Sequence, residues 1–122
     1  MEEIKKILSK YGLNIPIAKT KEKGVNAKIM LDVKPETWSI IPKKLYINPK
    51  TPKKVLIRTS IPHEIAHYLT EKEFVENILR ERKPTTMREI QLLREIKGYQ
   101  HHGAVWKRNY RLLRRLIKSW LR

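Results

Sequence analysis

The sequence has no cysteine and only 12 acidic residues against 28 basic ones. Without cysteine there is no disulfide, no thiol nucleophile and no cysteine-based zinc ribbon, which leaves histidines and carboxylates as metal ligands. No apolar run approaches the length of a membrane span, and the opening segment MEEIKKILSKYG lacks the apolar core of a secretion signal. We therefore expect a cytoplasmic protein without a membrane partner.

The excess of basic residues gives the 122-residue chain a formal net charge of +16. Hydrophobic residues make up 40%, enough for one globular domain over residues 1–122, so the charge alone does not indicate disorder. A basic surface of this size favours a polyanionic partner, usually nucleic acid. A thermophile-like surface is the alternative, but ion-pair networks need more acidic residues than this chain has.

Hydrophobic periodicity predicts an α+β order, with one N-terminal helix, a small sheet of three or four strands, and then three helices. The strands are expected in NIPIA, NAKIMLDV and KKLYIN. Thr85 or Thr86 is predicted to cap the helix that ends at Gly98. The last helix is predicted to run from about Gly103 to Leu121.

The first of the three later helices has two predicted starting points. Ser60 can cap it, which leaves Pro62 in the first turn, where the missing N–H costs little. If the helix begins near Pro52 instead, Pro62 must kink it just before the histidines described next.

Residues 60–69, SIPHEIAHYL, contain His63, Glu64 and His67 in the order H-E-x-x-H. On a helix, residues four apart project from one face with Cβ atoms about 5–6 Å apart, so the two histidines can share one Zn²⁺. Glu64 can then take a proton from a zinc-bound water, whose pKa the metal lowers to about 7. Two partly exposed histidines on an ordinary helix are the alternative, but the apolar neighbours place them at the wall of a core.

A zinc hydrolase needs a third protein ligand. The only other histidines are His101 and His102, in YQHHGAVWKRNY, and either can complete the site. A carboxylate, Glu89 or Glu95, is the other option, although pairing with nearby basic residues such as Arg94 is the simpler interpretation of both glutamates.

HEIAHYL followed by HHGAVWKRNYRLL resembles the SprT-like metalloprotease domains, in which H-E-x-x-H on one helix precedes H-G-x-x-aromatic-basic at the start of the next. Since His102 to Lys107 fits the second element position by position, the resemblance selects His102 as the third ligand. It implies a minimal, gluzincin-like zincin fold, one Zn²⁺ per chain and peptidase activity with Glu64 as general base. It further implies protein substrates bound or crosslinked to DNA, and it makes KLYIN a sheet edge beside the cleft.

The chain departs from this pattern in its spacing, because 34 residues separate His67 from His102. Residues from about 71 to 98 are therefore predicted to be an insertion beside or over the cleft. No zinc ribbon or DNA-binding extension follows the second motif, so contact with DNA, and any association with the nucleoid, is expected to come from the core itself.

The last predicted helix carries a cationic stripe at three- and four-residue steps. Its members are Lys107, Arg108, Arg111, Arg114, Arg115, Lys118 and Arg122. Such a stripe can follow a phosphate backbone, with affinity that falls steeply in salt, and no base-reading motif accompanies it, so we expect binding without sequence preference. An anionic membrane and a plain solvated face, whose apolar side packs on the sheet, are the alternatives. The membrane alternative is weakened because Trp106, Trp120 and the other apolar residues opposite the stripe are expected in the core.

Two other functions remain open on the sequence. The first is a non-catalytic nucleic-acid-binding protein with a structural or vestigial metal site, and the second is a zincin that cleaves one regulatory protein. Tyr68, Tyr99 and Tyr110 are candidate donors to an oxyanion, although aromatic residues beside helices are more often part of the core.

Overall fold

The computed structural model describes residues 2–120, which begin with helix α1 (Glu2–Lys10) and continue into a three-stranded mixed sheet. Strand β1 (Ile17–Lys19) is parallel to β3 (Ser39–Ile47), and β2 (Ala27–Lys34) is antiparallel to it. The strand order is therefore β1-β3-β2. The expectation that KLYIN forms a sheet edge is wrong, because β3 pairs with β1 on one side and with β2 on the other, which leaves β1 and β2 as the two edge strands.

A β-bulge changes which residues of β3 face the core. The register shifts between neighbouring pairs, since Met30 lies opposite Lys44 whereas Leu31 lies opposite Pro42. Pro42 has no N–H to donate to a ladder, and proline within a sheet is found at edges or bulges. The extra residue shifts by one position the alternation of side chains that face the core and side chains that face away from it. Ile40 is therefore buried before the bulge, and Leu45 is buried after it.

The H-E-x-x-H motif lies near the middle of α2, one continuous helix over residues 53–82. Its α-helical parts are Lys53–Val55, Ile61–Glu73 and Arg80–Arg82, and its π-helical parts are Leu56–Ser60 and Phe74–Leu79. The motif thus occupies the α-helical segment between two π-helical turns, a feature that is frequent at functional sites.

Of the two predicted starts of α2, the one near Pro52 is confirmed. Ser60 has helical backbone angles and makes no capping hydrogen bond with its side chain, so it is an interior residue. The N–H of Ile61 bonds to the carbonyl of Leu56, five residues earlier, and this wider turn immediately precedes Pro62. Because proline donates no hydrogen bond in the helix, the π-helical turn accommodates it without a break in the chain of helical residues.

Helices α3 (Met87–Lys97) and α4 (Ala104–Trp120) complete the fold. The hydroxyl of Thr86 accepts from the N–H of Glu89 at 3.2 Å, so Thr86 is the one of the two predicted threonines that caps α3. Gly98 ends α3 with a φ of 80°, a left-handed conformation that favours glycine. The predicted end of α4 at Leu121 lies outside the described residues.

The core lies between α1, one face of the sheet, α2 and α4. Its least exposed side chains include Leu8, Leu45, Ile65, Phe74 and Ile117. Helix α3 buries none of its residues and leaves several apolar side chains in solvent. Residues 71–98 form the end of α2, a loop and α3, and their status as an insertion stays a prediction.

The coarse architecture agrees with the sequence-based expectation. The chain is α+β, with an N-terminal helix, a small sheet, a helix that carries H-E-x-x-H, and two further helices. No helix within residues 2–120 is both long and apolar enough to cross a membrane. The zincin fold, as a finer assignment, stays a prediction.

Candidate metal centre

Three histidine side chains converge on one point between α2 and the start of α4. Nε2 of His63 lies 3.1 Å from Nε2 of His67 and 3.1 Å from Nε2 of His102. Potential ligand atoms of all three lie within 4.8 Å of one another, close enough to bind one metal ion. Zn–N distances of about 2.0–2.1 Å in a tetrahedral site put two ligand nitrogens about 3.3–3.4 Å apart, near the observed spacing.

Hydrogen bonding alone satisfies this arrangement poorly. A neutral imidazole nitrogen carries either one proton or one lone pair, yet Nε2 of His63 faces two other ring nitrogens at the same distance. A single cation placed among the three nitrogens accepts a lone pair from each of them. The donor set therefore fits a metal ion better than it fits a network of histidine–histidine hydrogen bonds.

The surroundings of the histidines favour their neutral, metal-binding form. Desolvation, followed by the charges of His63, His101 and His102, lowers the pKa of His67 to about 3. Desolvation is also the main cause that lowers the pKa of His63 and that of His102. A metal ion consequently has little proton competition to overcome at neutral pH.

His102 reaches the centre from the tight turn between α3 and α4. Its φ of 56° lies in the left-handed region, which is uncommon for a residue with a side chain. The next residue, Gly103, donates its N–H to the carbonyl of Gln100 at 2.8 Å. A Cβ at position 103 would lie 2.9 Å from that carbonyl oxygen, so the turn that presents His102 requires glycine after it.

Of the alternatives for the third ligand, only His102 belongs to the cluster within the described part of the chain. The ring of His101 is exposed and stacks on that of His67, with centroids 4.7 Å apart. The carboxylate of Glu89 instead accepts from the hydroxyls of Thr85 and Thr86 at the start of α3. Glu95 is exposed on α3 and is not among the clustered residues.

Glu64 is held beside the histidines by the edge strand. Its Oε1 accepts the backbone N–H of Ile29 at 2.8 Å, and its Oε2 lies 3.7 Å from Nε2 of His63. The side chain is 13% exposed, and this burial raises the pKa of Glu64, while the Ile29 hydrogen bond and the charge of Lys28 lower it. One oxygen is thus anchored, and the other is directed toward the histidine nitrogens.

The anchoring contact with Ile29 was not foreseen from the sequence. It depends on β2 being the edge strand, whereas the H-E-x-x-H pattern specifies only what lies on α2. Beside this contact an open cleft of about 440 Å³ separates β2 from α2. Its lining includes Val25, Ala27, Lys28, Ile29 and Leu31 on one side and His63, Glu64, His67, Glu71 and His101 on the other.

The aromatic residue of the second motif packs beneath the histidines. Trp106 is buried, lies edge-on to His63 with centroids 4.9 Å apart, and donates from Nε1 to the His63 carbonyl at 3.4 Å. Tyr110 stacks on Trp106 with ring centroids 4.9 Å apart, and its ring lies 5.9 Å from that of His63. Of the three candidate oxyanion donors, Tyr110 lies beside the centre, whereas the hydroxyl of Tyr99 donates to Glu73 and Tyr68 is buried.

The segment before His102 is tied to α2 by an ion pair and a hydrogen bond. Arg94 on α3 pairs with both carboxylate oxygens of Glu71 and also donates to the carbonyl of Tyr99 at 3.2 Å. The hydroxyl of Tyr99 donates to Glu73 at 2.9 Å. The sequence suggested local partners for Glu89 and Glu95, and gave no signal for this pairing across 23 residues.

All six basic residues predicted to contact DNA within residues 107–118 are exposed on α4. Arg108 differs from the others because it forms an ion pair with Glu73 at 3.1 Å. The seventh member of the stripe, Arg122, lies outside the described residues.

No known protein family, curated protein or solved structure matches this chain. The resemblance to SprT-like metalloproteases accordingly depends on the two histidine motifs and stays a prediction.

Proposed function

We propose that this chain is a zinc-dependent endopeptidase of the SprT-like type, with a minimal zincin fold. His63, His67 and His102 hold the zinc, and Glu64 is the general base. The observation that carries the proposal is the convergence of the three Nε2 atoms next to a carboxylate with one free oxygen. A zinc ion at this point supplies Lewis acidity, which brings the pKa of a water close to 7.

The two carboxylate oxygens of Glu64 have different roles in the proposed hydrolysis. Oε1 of Glu64 stays bonded to the Ile29 N–H, which fixes the orientation of the carboxylate. Oε2 accepts a proton from the attacking water, whose oxygen forms a bond to the carbonyl carbon of the peptide. The carboxyl then gives this proton to the amide nitrogen as the C–N bond breaks.

The proposed substrates are proteins bound or crosslinked to DNA, and the DNA contact is not specific for sequence. Support comes from the position of the exposed basic residues on α4, the helix that begins two residues after His102. DNA held there keeps an attached protein near the cleft, and such proximity compensates for an open, unselective binding site.

The test is the variant Glu64→Gln, which keeps the shape of the side chain and removes the base. Wild type and variant should each contain one zinc per chain by elemental analysis. Cleavage of a small basic protein crosslinked to an oligonucleotide should fall by about 10²- to 10⁴-fold in the variant. Cleavage at the wild-type rate by Glu64→Gln would overturn the mechanism.

A second arm of the same experiment addresses the role of DNA. Removing the oligonucleotide should slow cleavage of the same protein, because the tether is lost. Equal rates of cleavage with and without the oligonucleotide would favour a zincin whose basic surface has no part in substrate capture.

The non-catalytic alternative with a structural site is disfavoured by the three-residue cluster, since structural zinc sites are closed by four protein ligands.

A further inference from the structure

A second recess lies between the first π-helical turn of α2 and the basic side of α4. It has a volume of about 350 Å³ and shares no lining residue with the histidine cleft. Its lining consists of Arg58, Arg111, Arg114, Arg115, Lys118 and Ile117. Five of these six side chains are cationic, and we call this recess the basic groove.

No ion pair within the described residues compensates the charges of the basic groove. No acidic residue lines the groove, and within residues 2–120 none of its five cationic side chains forms an ion pair. Arg108, on the same helix, is paired with Glu73. Like charges gathered in one recess repel each other, and an anion bound among them removes that repulsion.

Arg58 is the residue through which α2 lines the basic groove, whereas the other lining residues belong to α4. It lies in the π-helical segment Leu56–Ser60 of α2, where Leu56 and Ile57 are buried and Arg58 is exposed. Because α4 packs against this segment, Arg58 faces residues that follow it by more than 50 positions. Sequence periodicity along α4 identifies only the other four cationic members.

We infer that the basic groove binds the phosphodiester backbone of a nucleic acid strand, with Arg58 as a direct phosphate ligand. Four of its five cations are arginines, whose planar guanidinium groups match phosphate oxygens in a bidentate manner. No aromatic side chain lines the groove, so it offers no platform on which a base can stack. The inference rests on the proposed DNA contact for its ligand, but not on the metal chemistry.

A concave site also favours a nucleic acid strand over an anionic membrane surface. A helix that lies on a membrane places an apolar anchor such as tryptophan in the bilayer interface beneath its cations. Here the ring of Trp120 lies 5.9 Å from that of Tyr11, and Nζ of Lys10 lies 4.4 Å above it. Trp120 is 38% exposed, and not buried in the core as the sequence predicted, but these contacts hold its ring against the end of α1.

The test compares Arg58→Gln with Arg88→Gln, which removes the same charge from an exposed position on α3 outside the groove. Binding of a fluorescein-labelled oligonucleotide, single-stranded or duplex, is measured by anisotropy over a range of salt concentrations. Arg58→Gln should weaken binding several-fold and reduce the salt slope by about 0.7 for the single strand or about 0.9 for the duplex. Arg88→Gln should leave the slope unchanged, and equal effects of the two variants would overturn the inference.

Two further measurements keep the result interpretable. Arg58→Lys retains the charge, so the salt slope should stay at the wild-type value while the bidentate contact is lost and affinity falls. Should Arg58→Gln fail to fold, Arg58→Met, which removes the charge and keeps an apolar side chain of similar reach, provides the same comparison.

The outcomes for the inference and for the proposed function are distinct. If the wild-type protein binds the oligonucleotide and Arg58→Gln and Arg88→Gln lose affinity equally, the inference about the basic groove is wrong. The proposed DNA contact then still stands. Binding to phosphatidylglycerol vesicles but not to the oligonucleotide would overturn both. Zinc content and cleavage of an untethered protein report on the metal centre alone and are expected to be the same in all these variants.

Discussion

Nε2 of His102 lies 3.1 Å from Nε2 of His63, although the two histidines are 39 positions apart in the sequence. The long segment between H-E-x-x-H and H-G therefore does not prevent the second motif from meeting the first. The contacts of Arg94 and Tyr99 with α2 hold the end of that segment, and Trp106 fixes the start of α4 beneath the histidines. Four predictions follow from this arrangement and from the turn that carries His102.

His102, and not its neighbour His101, should determine metal affinity. Replacing His102 with alanine removes one of three converging nitrogens, so zinc affinity should fall by at least about 100-fold in a chelator competition assay. His101→Ala is the matched control, because it removes only a ring stacked on His67. A larger loss of zinc in His101→Ala than in His102→Ala would contradict the assignment.

The ion pair between Arg94 and Glu71 should act as a positioning contact for His102. Arg94→Met keeps much of the side-chain length but removes the pairing, so zinc affinity should fall by about 10-fold while one zinc per chain is still bound at saturation. Arg88→Met, on the same helix and without an ion pair within residues 2–120, is the control and should bind zinc as wild type does. If Arg94→Met lowers only the melting temperature, the contact is structural and does not position the ligand.

Gly103 should be required for both stability and metal binding. A Cβ at this position would lie 2.9 Å from the Gln100 carbonyl oxygen, so Gly103→Ala must shift the turn that carries His102. We expect a loss of about 2–3 kcal/mol in the free energy of unfolding, measured with urea, together with weaker zinc binding.

Gly24→Ala provides the comparison for Gly103→Ala. Gly24 has a φ of 81° and no atom within 4 Å of an added Cβ, so only the backbone conformation is penalised, at about 1 kcal/mol. Equal losses of stability in the two variants, with zinc binding unchanged, would show that the close approach at Gly103 has no consequence.

The hydrogen bond of Tyr99 should make stability fall at high pH. Burial, followed by the hydrogen bond to Glu73, raises the pKa of Tyr99 to about 12. An unfolded tyrosine titrates near 10, so between about pH 10 and 12 the unfolded chain binds fewer protons than the folded one, and the free energy of unfolding falls as pH rises. Below that range both states keep the proton, and this residue adds no pH dependence.

The measurement for Tyr99 is urea unfolding at about pH 9 and about pH 11. Tyr99→Phe should be less stable than wild type at the lower pH, because Oε1 of Glu73 loses the Tyr99 donor, and the difference in the free energy of unfolding should shrink at the higher pH. A difference between wild type and Tyr99→Phe that stays constant with pH would contradict the raised pKa.

Local signals in the sequence identified much of the helical structure and the components of the candidate site. The four-residue spacing of His63 and His67 places both on one side of α2, because the helical repeat is set by neighbouring residues. Thr86 and Gly98 mark the ends of α3 for the same reason, since caps and left-handed stops act within one turn. A resemblance in motif, and not a spacing rule, selected His102 over His101.

The tertiary structure decided what the local signals do not contain. Sheet order made β2, and not KLYIN in β3, the edge strand next to α2, and thereby brought the N–H of Ile29 to Glu64. The packing of α4 on α2 added Arg58 to the basic stripe. Hydrogen bonds and charges across a fold depend on which elements become neighbours, and that choice is set by burial of the whole core. The sequence by itself determined which histidines and basic residues the chain carries, while long-range packing determined which of them meet.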